Sequence, residues 1–131
     1  MKLNGILNSD ISKVLSDLGH TDWIVIGDAG LPVPEDVKKI DLSLKIGIPS
    51  FVEVLQEIVL DMEVESVIVA EEIKKENTEQ LKNIEKIIGN KPIHFVSHAE
   101  FKIKTRFAKT IIRTGEATPF SNIILQAGVI F

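Results

Sequence analysis

The sequence contains no cysteine, which excludes disulfides and thiolate metal sites and gives no sign of an oxidising compartment. It also lacks any excess of basic residues: 15 Lys and Arg stand against 19 Asp and Glu, a formal net charge of −4. With no basic stripe to neutralise phosphates, a nucleic-acid partner is not expected. No apolar run approaches the ~20 residues of a membrane span. The opening Met1-Lys2-Leu3-Asn4-Gly5-Ile6-Leu7 turns polar before a signal-peptide core can form, so the expected location is cytoplasmic, with no membrane partner. The motif absences are as informative. There is no G-x-x-x-x-G-K-[ST] phosphate loop, no G-x-G-x-x-G fingerprint, no H-E-x-x-H and no G-x-S-x-G elbow. A nucleotide cofactor, a metalloprotease-type zinc site and a hydrolase-type serine are therefore not expected.

What is present is ordinary globular material. A content of 44% hydrophobic and 26% charged residues argues against disorder. The 131 residues suffice for one domain, 1–131, with a real core. Asn8 or Ser9 can cap a helix carrying Ile11, Val14, Leu15 and Leu18, with Gly19 as its left-handed terminator. A strand is expected over Trp23–Ile26, then a stiff Leu31-Pro32-Val33-Pro34 segment, then a strand over Ile40–Leu44. Pro49 suits the opening of a helix over Ser50–Asp61. Strands are expected over Val67–Ala70, Ile93–Val96 and Thr110–Ile112, with a charged helix over Thr78–Ile88 and a short helix capped by Ser97. The apolar runs Ile123–Leu125 and Gly128–Phe131 leave no room for a crossover helix, so at least one antiparallel strand is expected. The fold class is thus α/β: a three-layer α/β/α sandwich around a mostly parallel mixed sheet. An apolar tail reaching the last residue needs a cover, and a subunit interface is one expected source.

The chemistry-bearing residues are His20, Asp28, His98, Lys102, Arg113, Glu116 and Asn122. Histidine both gives and takes a proton near neutrality. An aspartate ending a buried strand can hold a ligand or orient a base, because sheet sites gather at strand carboxyl ends. Each also has a plain structural explanation. His20 suits a solvated connection, Asp28 a turn, Lys102 a wet helix face, and Arg113 and Glu116 can pair across their Thr-Gly turn. His94 and His98 have i, i+4 spacing, but they are read as lying on a strand and a helix, so no metal site is expected.

Leu18-Gly19-His20-Thr21-Asp22, Asp28-Ala29-Gly30-Leu31-Pro32-Val33-Pro34, Ile40-Asp41-Leu42, Ile112-Arg113-Thr114-Gly115-Glu116 and Thr118-Pro119-Phe120-Ser121-Asn122 follow one another in order. Together they resemble the D-ribose pyranase family, which groups with the L-fucose mutarotases, over essentially the whole chain. The resemblance implies a cofactor-independent isomerase that interconverts pyranose and furanose forms of free D-ribose through the open chain, supplying ribokinase. It implies His20 as general acid, with Asp28, His98, Lys102, Phe120, Ser121 and Asn122 at the sugar. It also implies a pentameric ring or stacked decamer with sugar near a subunit boundary. The family usually has tyrosine where this chain has Phe120, which removes a hydroxyl that could bind sugar. Two other readings stand beside this one: a non-catalytic ribose-binding or regulatory subunit, and a mutarotase for another sugar such as fucose.

Overall fold

Asn8 caps the first helix: its side chain accepts from the Ile11 amide at 2.9 Å and opens α1 (Ser9–Asp17). The computed structural model describes residues 1–131. After α1 come β1 (Trp23–Gly27), β2 (Lys38–Asp41), α2 (Phe51–Asp61), β3 (Val64–Ala70), α3 (Ile73–Glu76), α4 (Thr78–Ile88) and β4 (Ile93–Val96). α5 (His98–Lys104), a 3-10 turn (Thr105–Phe107), β5 (Thr110–Arg113) and β6 (Ile123–Ala127) complete the chain. Ser50 caps α2 in a full capping box, its hydroxyl accepting from Glu53 while the Glu53 carboxylate accepts from the Ser50 amide. Ser97 caps α5 through the Glu100 amide. No helix is long and apolar enough to cross a membrane.

The strands form one sheet in the order β2-β5-β1-β6-β3-β4. β2, β5 and β1 are mutually parallel, as are β3 and β4, while β6 runs antiparallel to both β1 and β3. β1 to β5 therefore all point one way, and β6 alone opposes them. The carboxyl ends of five strands and the amino end of β6 meet at one edge. That edge collects the polar loops.

Alternation along the strands divides the core in two. Ile24, Ile26, Val67, Val69, Ile112, Ile123 and Leu125 face α1, α2 and α4, where Phe51, Leu55, Ile58 and Ile84 complete the larger layer. Val25, Ile68, Ile111 and Ile124 face the other way, under Phe101 of α5, Ala108, Leu31 and Val37. The sandwich has three layers as expected, but one face is covered by a single short helix and loops.

Four details differ from the sequence reading. Gly19 is not left-handed: α1 ends in extended Leu18, and the positive φ of this turn falls on Thr21, at 71°. The second strand ends at Asp41 rather than Leu44, because the Asp41 carboxylate accepts from the Ser43 amide at 2.9 Å and turns the chain out of the sheet. Leu44 and Lys45 then fold back onto Ile48, around Gly47 at φ 85°. α3 is an added helical turn. The closing residues form no strand, and Ile130 and Phe131 are 91% and 99% exposed.

Candidate functional site

At the carboxyl edge, Asp28 follows β1 and Asn122 precedes β6, neighbouring strands whose opposite directions bring the two residues together. The Asp28 amide donates to Asn122 Oδ1 at 2.8 Å, and Asn122 Nδ2 donates back to Asp28 Oδ2 at 3.0 Å. Asp28 Oδ1 accepts from the Gly30 amide at 2.9 Å, closing the turn. Asn122 is fully buried and Asp28 half-buried, so the carboxylate is held rigidly at the rim. A Cβ on Gly27 would lie 2.7 Å from the Leu31 side chain and 3.3 Å from Asn122 Oδ1. Glycine at the end of β1 leaves room for this pair.

His98 opens α5 on the same edge, and its amide donates to both carboxylate oxygens of Glu72 at 3.0 and 3.1 Å. Its ring lies 5.1 Å from that of Phe120, edge-on, and 6.4 Å from Phe101. His98 Nδ1 is buried without a hydrogen-bond partner. Such an atom is expensive to leave unmet, and here it is enclosed by the chain itself. Phe120 has φ 56°, a conformation that bulky residues rarely adopt and that stores strain at sites. Lys102, one turn along α5 from His98, is exposed, and its ammonium makes no bond within the chain.

The Ser121 hydroxyl is turned inward. It is fully buried, it shares a 2.8 Å hydrogen bond with Thr118 and it accepts from Gln80 at 3.0 Å. It anchors the loop to α4 and cannot replace the hydroxyl that Phe120 lacks. Arg113 and Glu116 do not pair with each other. Arg113 donates to the Ala29 carbonyl and to Asp41, both at 3.0 Å, bracing the Asp28 turn. Glu116 accepts from the Phe51 amide at 3.1 Å, at the start of α2, and from the Thr118 hydroxyl at 2.9 Å. Burial pushes the Glu116 pKa up, but these bonds and those from the Thr118 and Ala117 amides outweigh it and hold the carboxyl below the usual carboxylate range. A depressed folded pKa contributes stability above the unfolded value and loses it as pH falls through the folded one. Urea unfolding across pH is therefore expected to show Glu116→Gln less stable than wild type at neutrality. The difference from wild type should shrink as the pH drops below ~4. A pH-independent difference would remove the charge from this account.

His20 is elsewhere. It precedes β1, whereas Asp28 follows it, so the two lie at opposite edges of the sheet, separated by the length of β1, ~17 Å at the usual strand rise. Asp28 therefore does not orient His20 within one chain. His20 is beside Glu65 instead: His20 Nε2 is 2.9 Å from Glu65 Oε1, and Gln126 donates to the other Glu65 oxygen. These bonds from His20 and Gln126 lower the Glu65 pKa. The sequence reading missed Glu65 and Gln126, because nothing local ties position 65 or 126 to position 20. His94 lies in β4 and His98 in α5, and no three acidic or histidine side chains gather closely enough to ligate a metal.

Residues 1–130 match the RbsD / FucU transport protein family. The chain belongs to that family. It is 56% identical to the D-ribose pyranase of Bacillus subtilis over 131 residues, the full length of both. Among solved structures, this family member is similar to Bacillus subtilis RbsD complexed with D-ribose, with a TM-score of 0.97, 56% identity and complete coverage of both chains. It is also similar to the fucose mutarotase of Streptococcus pneumoniae in complex with L-fucose, with a TM-score of 0.81 and 25% identity over 95% of each chain.

Proposed function

We propose that this chain, acting as a single domain over residues 1–131, is a D-ribose pyranase that interconverts the pyranose and furanose forms of free ribose. The observation that carries this reading is the full-length likeness, at a TM-score of 0.97, to a protein solved with D-ribose bound. The chemistry suits the residues. The C–O bond to the ring oxygen breaks as that oxygen takes up a proton and the anomeric hydroxyl gives one up, leaving the open aldehyde. Closure through a different hydroxyl reverses both transfers and changes ring size. An imidazole can serve in either direction, and a positioned proton transfer is worth ~10²–10⁴-fold. His20 is that imidazole in this reading.

Asp28 accepts from sugar hydroxyls, Asn122 fixes Asp28, His98 lies beside the sugar and Phe120 packs on the sugar's apolar face, with Lys102 nearby. The two edges lie too far apart to meet on one sugar within a chain. The site is therefore shared: His20 of one subunit faces the Asp28 edge of its neighbour in a pentameric ring or stacked decamer. The exposed Ile130 and Phe131 beside the His20 edge supply apolar surface for such a contact. The enzyme works in the cytoplasm, giving a ribokinase its ring form.

Saturation-transfer proton NMR of D-ribose with catalytic protein tests the reading. Enhanced transfer between pyranose and furanose anomeric signals is expected. Ribose binding without enhancement would favour a non-catalytic subunit, and enhancement for L-fucose alone would reassign the substrate.

A further inference from the structure

A donor-only group stands at the start of a hydrogen-bond chain that ends at His20. The Trp23 indole N–H can only donate, and it donates to Gln126 Oε1 at 3.0 Å. That fixes the Gln126 amide, leaving its Nε2 hydrogens for Glu65 Oε2. An ionised carboxylate only accepts, so Glu65 Oε1, 2.9 Å from His20 Nε2, requires that nitrogen to carry hydrogen. Sheet register keeps the members adjacent: Trp23 pairs with Gln126 across β1 and β6, and Gln126 with Ser66, next to Glu65, across β6 and β3. His20 Nδ1 has no partner in the chain.

We infer that Glu65 is a positioning residue for His20, holding its Nε2–H tautomer and leaving Nδ1 as the nitrogen that exchanges a proton with the sugar. This rests on His20 being the imidazole that takes and gives protons in the proposed reaction. The pair is about half exposed, with side-chain exposures of 50% and 43%. Such a pair adds little stability, so what it contributes is orientation. The other charges at this edge are engaged elsewhere: Asp22 lies 3.8 Å from Lys109, and Glu63 lies 3.1 Å from Lys91. Glu65, like any ordinary carboxylate, is ionised and an acceptor at neutral pH, and its bonds from His20 and Gln126 lower its pKa further. Thr21, the left-handed residue at φ 71°, follows His20 directly and fixes the backbone from which the ring reaches Glu65.

The test begins with unmutated protein labelled with ¹⁵N-histidine, its His20 signals assigned by their loss in His20→Ala. Long-range proton–nitrogen correlations are expected to show hydrogen on Nε2 and a bare Nδ1 for the neutral ring. Hydrogen on Nδ1 overturns the inference whatever the activity. In Glu65→Ala that preference should disappear, and kcat for ribose exchange should fall by about tenfold or more. KM should stay within about twofold, as for a loss felt only in the chemical step. Glu65→Gln, which keeps one acceptor oxygen, should recover part of kcat. An unchanged kcat in Glu65→Ala, or a loss confined to KM, overturns the inference. Full exchange in folded His20→Ala overturns the catalytic reading and this inference together. Lost exchange in that variant with hydrogen on Nδ1 in the unmutated protein overturns this inference alone.

Discussion

His20→Ala is expected to remove the acceleration of ribose ring exchange, a loss of ~10²–10⁴-fold set by the worth of a positioned proton transfer. Folding should be unaffected. The side chain is about half exposed, and its one bond is to Glu65. Ribose binding should weaken far less than turnover, because the Asp28–Asn122 pair and His98 lie on the opposite edge. Saturation transfer for turnover, with titration calorimetry for affinity, separates the two. A folded His20→Ala protein with an undiminished rate would remove His20 from the chemistry.

The same geometry gives a sharper expectation. If His20 and Asp28 serve one sugar from different subunits, a His20→Ala chain and an Asp28→Ala chain are each defective yet complement one another. In assemblies formed at random from equal amounts, one site in roughly four joins an intact His20 to an intact Asp28. Co-refolded mixtures should therefore regain roughly a quarter of normal turnover. Mixtures no more active than their components would place both groups on a single subunit's sugar.

Gly115→Ala is expected to be the most damaging substitution of a single methyl. A Cβ there would lie 2.5 Å from the carbonyl oxygens of both Lys45 and Ile48, and 2.6 Å from the Ile48 nitrogen. All three are backbone atoms, so no side chain can swing aside. The contact is also bonded: the Gly115 amide donates to the Pro49 carbonyl at 2.8 Å, and the Gly47 amide to the Gly115 carbonyl at 2.6 Å. Forcing these segments apart should destabilise by about 1–3 kcal/mol, the usual range for overpacking. It should also loosen the neighbouring Glu116 contact to the start of α2. Urea unfolding measures the first effect and amide exchange at Phe51 the second. Wild-type stability in Gly115→Ala would show that the 45–49 loop yields freely.

Most elements were legible because their signals are local. Asn8 and Ser97 each precede a helix by one residue and cap it through an amide three positions on, whereas α2 was expected to open at Pro49 and is capped by Ser50 instead. The branched runs at 24–26, 67–69 and 123–125 form strands buried on both faces, and apolar content alone marks them. The antiparallel β6 followed from the lack of room for a crossover. Where local signals compete, the reading slipped by a few residues. Leu42 and Leu44 looked like strand, but the Asp41 carboxylate captured the Ser43 amide. Gly19 looked like a helix terminator, but its amide bonds the Asp22 carboxylate at 2.8 Å and the left-handed turn moved to Thr21.

The site residues divide along the same line. The sequence by itself determined which groups are available: an imidazole at 20, a carboxylate at 28, a histidine at 98 and an amide at 122, in an order that a family shares. It also determined the α/β class, since hydrophobic period and caps are written in neighbouring residues. Only the tertiary structure decided which groups meet. It joined Asp28 to Asn122 across 94 residues, buried the Ser121 hydroxyl and paired Glu116 with α2 rather than with Arg113. It also set His20 beside Glu65, a full strand length from Asp28. The reason is physical: a strand's direction and its neighbours are fixed by pairing between distant segments, and pairing alone sets the edge to which each loop is carried.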